Sequence, residues 1–142
     1  MNVLIPLLFF FAGASPVSLA QVKAEPNLER RARAAVDFAM AAEKEAESAY
    51  AAGDLKLVGS AINAVLEAVE LARESFAESG RTPGRNPAPY KYAELHTRDL
   101  LIRLADLDRR MDSDERPMLD KPRARIQEIH DQWFEGIMGK KK

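Results

Sequence analysis

NLERRARAAVDFAMAAEKEAESAYAAGD occupies residues 27–54 and contains the pattern that decides the fold. Small apolar side chains recur there in alternating steps of four and three residues, which is the spacing of one face of an α-helix. They are Leu28, Ala32, Ala35, Ala39, Ala42, Ala46 and Ala49. Asn27 is a favourable N-cap, while Gly53 followed by Asp54 predicts the end of this helix and the start of another. The stretch therefore predicts a long helix over about 27–52, with an alanine seam typical of coiled-coil packing.

The same spacing continues and predicts three further helices. Their approximate bounds are 54–79, 87–112 and 113–138. Their seams consist of Val58, Ile62, Val65, Val69, Ala72 and Phe76, then Tyr90, Ala93, Thr97, Leu100, Leu104, Leu107 and Met111, then Ile126, Ile129, Trp133 and Ile137. Long helices joined by short connections predict an all-α, antiparallel up-down bundle of three long helices plus a bent fourth. This bundle is expected to form one domain, 21–142.

The connections contain local signals of their own. Gly80 suits the cap that ends the second helix, and Thr82–Arg85 has Pro and Gly where a type II turn needs them. Ser113 is the expected N-cap of the fourth helix. Because Pro122 has no backbone N–H, we expect it to kink or restart that helix.

Charged residues on the first two helices suggest how the two helices pair. If the chain reverses at Gly53, residues equally far from it lie side by side, which places Arg30 and Arg33 beside glutamates of the second helix. These glutamates are Glu70, Glu74 and Glu78. The sequence thus predicts ion pairs between the two helices, with anion binding by the arginines as the alternative.

The first 22 residues, Met1–Val22, carry no charged side chain. A long apolar run is followed by the small residues Ser18 and Ala20, as signal-peptide cleavage requires. We therefore predict a signal peptide over 1–20 that is cut between Ala20 and Gln21. The expected destination is the periplasm or cell envelope.

The flanks of this segment leave an alternative open. Only Asn2 precedes the apolar run, whereas a signal peptide normally begins with Lys or Arg. Basic residues come after the run instead, at Lys23 and Arg30, which opposes transfer of the helical domain across a membrane. An uncleaved segment of this length would make the chain a signal-anchored membrane protein.

Overall composition excludes several classes of partner and chemistry. Lys and Arg number 21 and Asp and Glu number 22, for a formal net charge of −1. This balance gives no reason to expect a nucleic acid as partner. The sequence has no cysteine, which excludes a disulfide, a lipid-modified cysteine and c-type haem attachment.

The two histidines, His96 and His130, are the weak candidates for a metal site. A di-iron bundle uses Glu three residues before each His, but Ala93 and Gln127 stand there. A metal- or haem-binding bundle is therefore the alternative, with a haem held by His and Met. We expect no metal, no cofactor and no catalytic residue, because no G-x-S-x-G pattern or nucleophilic cysteine is present.

Several short motifs together resemble a family of uncharacterised small exported all-helical bacterial proteins. The motifs are Glu29-Arg30-Arg31-Ala32-Arg33, the turn at 49–54, Asp114-Glu115-Arg116-Pro117, Ile129-His130, and Gly136-Ile137-Met138-Gly139-Lys140. The resemblance implies export, and it supplies no activity and no site residues. We expect a non-enzymatic protein that binds other proteins, as a scaffold, adaptor or chaperone-like factor, or that forms a homo-oligomer through its alanine seam.

Overall fold

A computed structural model describes residues 18–139, which contain helices and no strand within that range. The helices are α1 (Leu19–Lys23), α2 (Leu28–Ala51), α3 (Leu55–Ser79), α4 (Pro87–Arg110) and α5 (Pro117–Ile137). The predicted all-α bundle is confirmed. Most of the predicted signal peptide, residues 1–17, lies outside the described residues.

The bundle consists of two helical hairpins that lie side by side. α2 packs against α3 and α4 packs against α5, while α4 also lies beside α2 and α5 beside α3. Tyr50 near the end of α2 donates its hydroxyl to the carbonyl of Arg110 at the end of α4, at 3.0 Å. Because α2 and α4 run in the same direction, their amino-terminal ends lie at the same end of the bundle.

The alanine seam of α2 forms the centre of the core. Ala32, Ala35, Ala39, Ala42, Ala46 and Ala49 are all buried. Small side chains let the backbones of α2 and α3 approach closely, and these two helices share the most extensive interface. Three aromatic residues close one end of the core, where the Phe76 ring stacks on Tyr90 at 4.1 Å and meets Trp133 edge-on at 5.6 Å.

The predicted helix boundaries around α2 and α3 are confirmed by their caps. Asn27 Oδ1 accepts a hydrogen bond from the Arg30 amide at 2.9 Å, and Asp54 Oδ1 accepts one from the Leu57 amide at 3.1 Å. Gly80 ends α3 with φ of 73°, in the left-handed region that glycine adopts without strain.

The predicted type II turn between α3 and α4 is wrong. Such a turn needs a positive φ at Gly84, and Gly84 does not have one. The Asn86 amide instead donates to the Thr82 carbonyl at 2.8 Å, which makes one helix-like turn that leads into α4. The loop is held there by α5, because a Cβ added to Gly136 would lie only 2.6 Å from Cγ of Pro83.

The predicted start of the fourth helix is also wrong, and the helix does not restart at Pro122. α5 begins at Pro117, and Ser113 does not cap it. Residues 112–116 form a turn instead, in which Glu115 Oε1 accepts from the Asp112 amide at 3.0 Å. α5 then continues through the buried Pro122 without interruption, because a proline removes a single backbone hydrogen bond that core packing can offset.

The predicted partners of Arg30 and Arg33 are wrong as well. Arg31 is the residue that pairs with α3, at 3.7 Å from Glu78. The Arg33 guanidinium instead lies 4.0 Å from the centre of the Tyr92 ring on α4. The number of residues between a side chain and the loop predicts how far along the hairpin that side chain lies. The face of the helix that it occupies depends instead on the helical repeat of 3.6 residues. On α2 that rotation places Arg33 toward α4.

Glu70, the other predicted partner, pairs outside α2. Its carboxylate lies 2.6 Å from Nε of Arg125 on α5 and 3.0 Å from Nε of Arg73 on its own helix. These hydrogen bonds, above all the one from Arg125, hold the pKa of Glu70 below its usual value. The ion pair thus joins the two hairpins through α3 and α5.

Candidate functional site

Glu94 of α4 and His130 of α5 meet inside the second hairpin. Nε2 of His130 lies 2.9 Å from Oε2 of Glu94, and both residues are buried. Arg98, one helical turn after Glu94, donates to the same carboxylate from Nε at 3.0 Å and from Nη2 at 2.8 Å. A buried carboxylate therefore has a partner on each of two helices.

The other side of the His130 ring extends this contact toward the surface. Nδ1 of His130 lies 3.2 Å from Oδ1 of Asp131, and the same oxygen accepts a hydrogen bond from Nε2 of Gln127 at 2.9 Å. The polar network therefore contains Gln127, Asp131, His130, Glu94 and Arg98. It connects the interior of the hairpin to its exposed side.

The network keeps Glu94 ionised at neutral pH. Burial by itself raises the pKa of this carboxyl, but hydrogen bonds from Arg98 and His130 outweigh burial and lower the pKa below its usual value. A fixed negative charge with two donors suits a structural tie between helices.

The two histidines that the sequence offered as metal candidates have different partners in the structure. Nδ1 of His96 lies 2.9 Å from the carbonyl of Tyr92 on the same helix, and the His96 ring packs on the Tyr92 ring at 4.1 Å. His130 has Glu94 and Asp131 as its partners. Between residues 18 and 139 no three His, Asp or Glu side chains are grouped as a metal site requires.

A groove runs along the outer side of the second hairpin. Its volume is about 520 Å³, and its lining residues include Leu101, Ile102, Ala105, Ala124 and Gln127; we call it the outer groove. Because Gln127 also belongs to the polar network, the two features are continuous.

Large apolar side chains are exposed along the same hairpin. Ile102 is 60% exposed and Met138 is 62% exposed. Leu95 and Phe134 are also exposed to solvent. Of these four residues, Ile102 lines the outer groove; apolar side chains that form a contiguous exposed patch are typical of a binding surface.

A second buried carboxyl, Glu43 of α2, was not singled out from the sequence. It is fully buried, and neither oxygen has a hydrogen-bond partner among the described residues. Burial, followed by the nearby carboxyl of Glu47, raises the pKa of Glu43 to about 8, against the opposing charges of Arg103 and Arg110. Glu43 lies four residues after Ala39 in the seam, and this spacing is the signal that predicts its burial.

The predicted cleavage site lies in the short helix α1. Ser18 caps this helix by accepting a hydrogen bond from the Gln21 amide at 3.2 Å, and Ala20 and Gln21 are exposed. Val22, two residues beyond the site, is buried in the core. None of the helices described between residues 18 and 139 is long and apolar enough to cross a membrane.

No family model, curated protein or solved structure matches this chain. The family resemblance of its sequence motifs therefore stays a prediction, and the geometry of the helices and their surfaces is the basis for a functional proposal.

Proposed function

We propose that this protein is a non-catalytic helical adaptor that binds a partner protein through the outer groove. The observation that carries the proposal is the exposed apolar surface of the second hairpin, at Leu95, Ile102, Phe134 and Met138. Water-exposed apolar area gains about 25 cal/mol per Å² when a partner covers it. Covering this surface would therefore supply the driving force for binding.

The shape of the surface fits a helical segment of the partner. Leu95 and Ile102 are seven residues apart, so two turns of α4 bring them to the same face. The outer groove between α4 and α5 continues this face with Leu101, Ala105 and Ala124. An apolar groove between two helices is the usual receptor for the apolar face of an amphipathic helix.

Charged and polar side chains surround the apolar centre. Arg123 and Asp120 line the outer groove, and Arg123 is tied to Asp108 of α4 at 3.4 Å. An apolar centre with a polar rim is the usual anatomy of a protein interface. The Glu94–His130 contact joins the two helices that form the groove, so it fixes them before a partner arrives and lowers the ordering cost of binding.

Site-specific photo-crosslinking in the native host tests the proposal. A photoreactive residue at position 102 lies beside the outer groove, while the same residue at the exposed position Asn63 of α3 is the matched control. We expect one discrete adduct from position 102, absent from position 63, and weakened by Phe134→Asp. Equal labelling from both positions overturns the proposal. An adduct of twice the chain mass would mean that the groove binds a second copy of this chain instead of a partner protein.

We also propose that the chain acts after export, in the periplasm or cell envelope. The support is the uncharged opening segment and the small residues at Ser18 and Ala20. Intact-mass measurement on protein from the native host tests this proposal. A chain that begins at Gln21 supports export and cleavage, whereas a full-length chain in the membrane fraction supports an anchored protein instead.

A further inference from the structure

We infer that a second site, at the shared amino-terminal end of α2 and α4, binds a small organic anion with an apolar body. The site is a cleft of about 370 Å³, the size of a small-molecule pocket. Arg30, Arg33, Phe76, Ala88, Pro89 and Tyr92 line it; we call it the arginine cleft. It lies between the two hairpins and is distinct from the outer groove.

The two arginines of the arginine cleft have no ion-pair partner within the described part of the chain. Neither Arg30 nor Arg33 forms an ion pair with a carboxylate within residues 18–139. Glu29 also lines the cleft, but it is engaged by Arg81 at 2.6 Å. Two arginines thus line the same cleft without a carboxylate partner, and the Arg33 guanidinium lies over the Tyr92 ring of the cleft wall.

The backbone adds to this positive potential. α2 and α4 run parallel, so the positive ends of their dipoles lie together at the cleft. The side chain of Asn86 makes no capping hydrogen bond at the start of α4. The amide of Ala88 lies in that first turn and therefore has no intrahelical acceptor.

The walls of the cleft are apolar and rigid. Phe76 is buried, and its ring is held between Tyr90 and Trp133. Two contacts hold the Tyr92 ring in place. Its hydroxyl donates to Asp37, and the Arg33 guanidinium packs on its face. Pro89 completes this wall beside Ala88.

The ligand class is set by the charged half and the apolar half of the cleft together. The guanidinium groups match a carboxylate or phosphate group, whose paired oxygens accept hydrogen bonds from a planar donor. The aromatic and proline walls match an aryl or short alkyl body, which inorganic phosphate does not have. We therefore expect an amphipathic anion to bind more tightly than a bare one.

Calorimetric titration of the purified protein with phenyl phosphate tests this inference, with inorganic phosphate and phosphatidylglycerol vesicles as parallel probes. We expect saturable binding of phenyl phosphate, at least tenfold weaker binding of inorganic phosphate, and amide shifts at Ala88 and Tyr92 in NMR spectra. If the vesicles also bind, and their binding depends on Arg30 and Arg33, the natural ligand is a lipid headgroup. If phenyl phosphate binds and the vesicles do not, the natural ligand is a soluble anion.

Substitution of the arginines gives the decisive comparison. Arg33→Gln and Arg30→Gln should each weaken phenyl phosphate binding about tenfold, since each removes a charge-assisted hydrogen bond. Arg85→Gln removes the same charge from the loop at this end of the bundle and should leave binding within about twofold, because an exposed charge outside the cleft contributes little. Absence of saturable binding, or equal losses in all three variants, overturns the inference.

Discussion

Glu94 and His130 tie α4 to α5 through a buried contact of 2.9 Å between carboxylate and imidazole. Arg98 holds the same carboxylate from its own helix, and Asp131 lies against the other imidazole nitrogen. One of the exposed apolar side chains of the hairpin, Phe134, stacks its ring on His130 at 6.2 Å. The structure thus combines a rigid polar tie with an uncovered apolar surface.

Replacing Glu94 by Gln should destabilise the protein at neutral pH. The variant loses the charge that Arg98 and His130 engage, which we expect to lower the free energy of unfolding by about 1 to 3 kcal/mol. The pKa of Glu94 is lower in the folded state than the 4.5 of the unfolded chain. The contribution of Glu94 to stability is therefore present above pH 4.5 and is lost as the pH falls through the pKa of the folded state.

Urea unfolding at neutral pH and at pH 3 measures both effects of Glu94→Gln. The difference from wild type should shrink at the lower pH. Glu67→Gln, on the exposed side of α3, is the control and should change stability by less than about 0.5 kcal/mol. A deficit of the same size at both pH values would show that the carboxylate charge is not what stabilises the hairpin.

Glu43 should make the protein less stable as the pH rises. The pKa of Glu43 is raised to about 8 in the folded state, compared with 4.5 in the unfolded chain. The stability that this shift provides is therefore fully present below pH 4.5 and is lost as the pH rises toward 8. Glu43→Gln imitates the neutral form and should be more stable than wild type at pH 8 by about 1 to 3 kcal/mol, with little difference at pH 5.

Thermal unfolding across this pH range distinguishes Glu43 from its neighbours. Glu45→Gln changes an exposed carboxylate of α2 and should leave the pH profile of wild type unchanged. If Glu43→Gln has the same slope as wild type between pH 5 and pH 8, the buried carboxyl is already ionised in the folded protein.

Gly136→Ala should destabilise the protein, although glycine is normally a poor helix residue. The new Cβ would lie 2.6 Å from Cγ of Pro83 and would displace the loop between the hairpins, at a cost of about 1 to 3 kcal/mol. Gly59→Ala in α3 has open space around the new methyl group and should gain about 0.5 to 1 kcal/mol. Stabilisation by both substitutions in urea unfolding would mean that the loop does not rest on α5.

The positions of the helices were predictable from this sequence because they depend on local sequence patterns. The alanine seam, the Asn27 and Asp54 caps and the left-handed Gly80 are set by spacing and by backbone preferences within a few residues. The same reasoning failed at Gly84, and it failed for a restart of the helix at Pro122. There the local preference is overridden by contacts that come from distant parts of the chain.

The candidate sites were less predictable because they join helices that are distant in sequence. Glu94 and His130 are 36 residues apart, and their contact depends on how α4 and α5 are rotated about their axes. The sequence predicts the wrong neighbour for Arg33 because its spacing contains no evidence that α4 lies beside α2. The exposure of Ile102, on which the proposed binding surface rests, is visible only in the folded structure.

The affinity of the crosslinked partner for groove variants tests the central claim most directly. The dissociation constant of the partner identified at position 102 is to be measured with wild type, Ile102→Asp and the exposed control Asn63→Asp. The account predicts that Ile102→Asp weakens binding by about thirtyfold or more, as loss of an interface hot spot does, while Asn63→Asp leaves it unchanged. Equal dissociation constants for the three proteins would contradict the assignment of the outer groove as the binding surface.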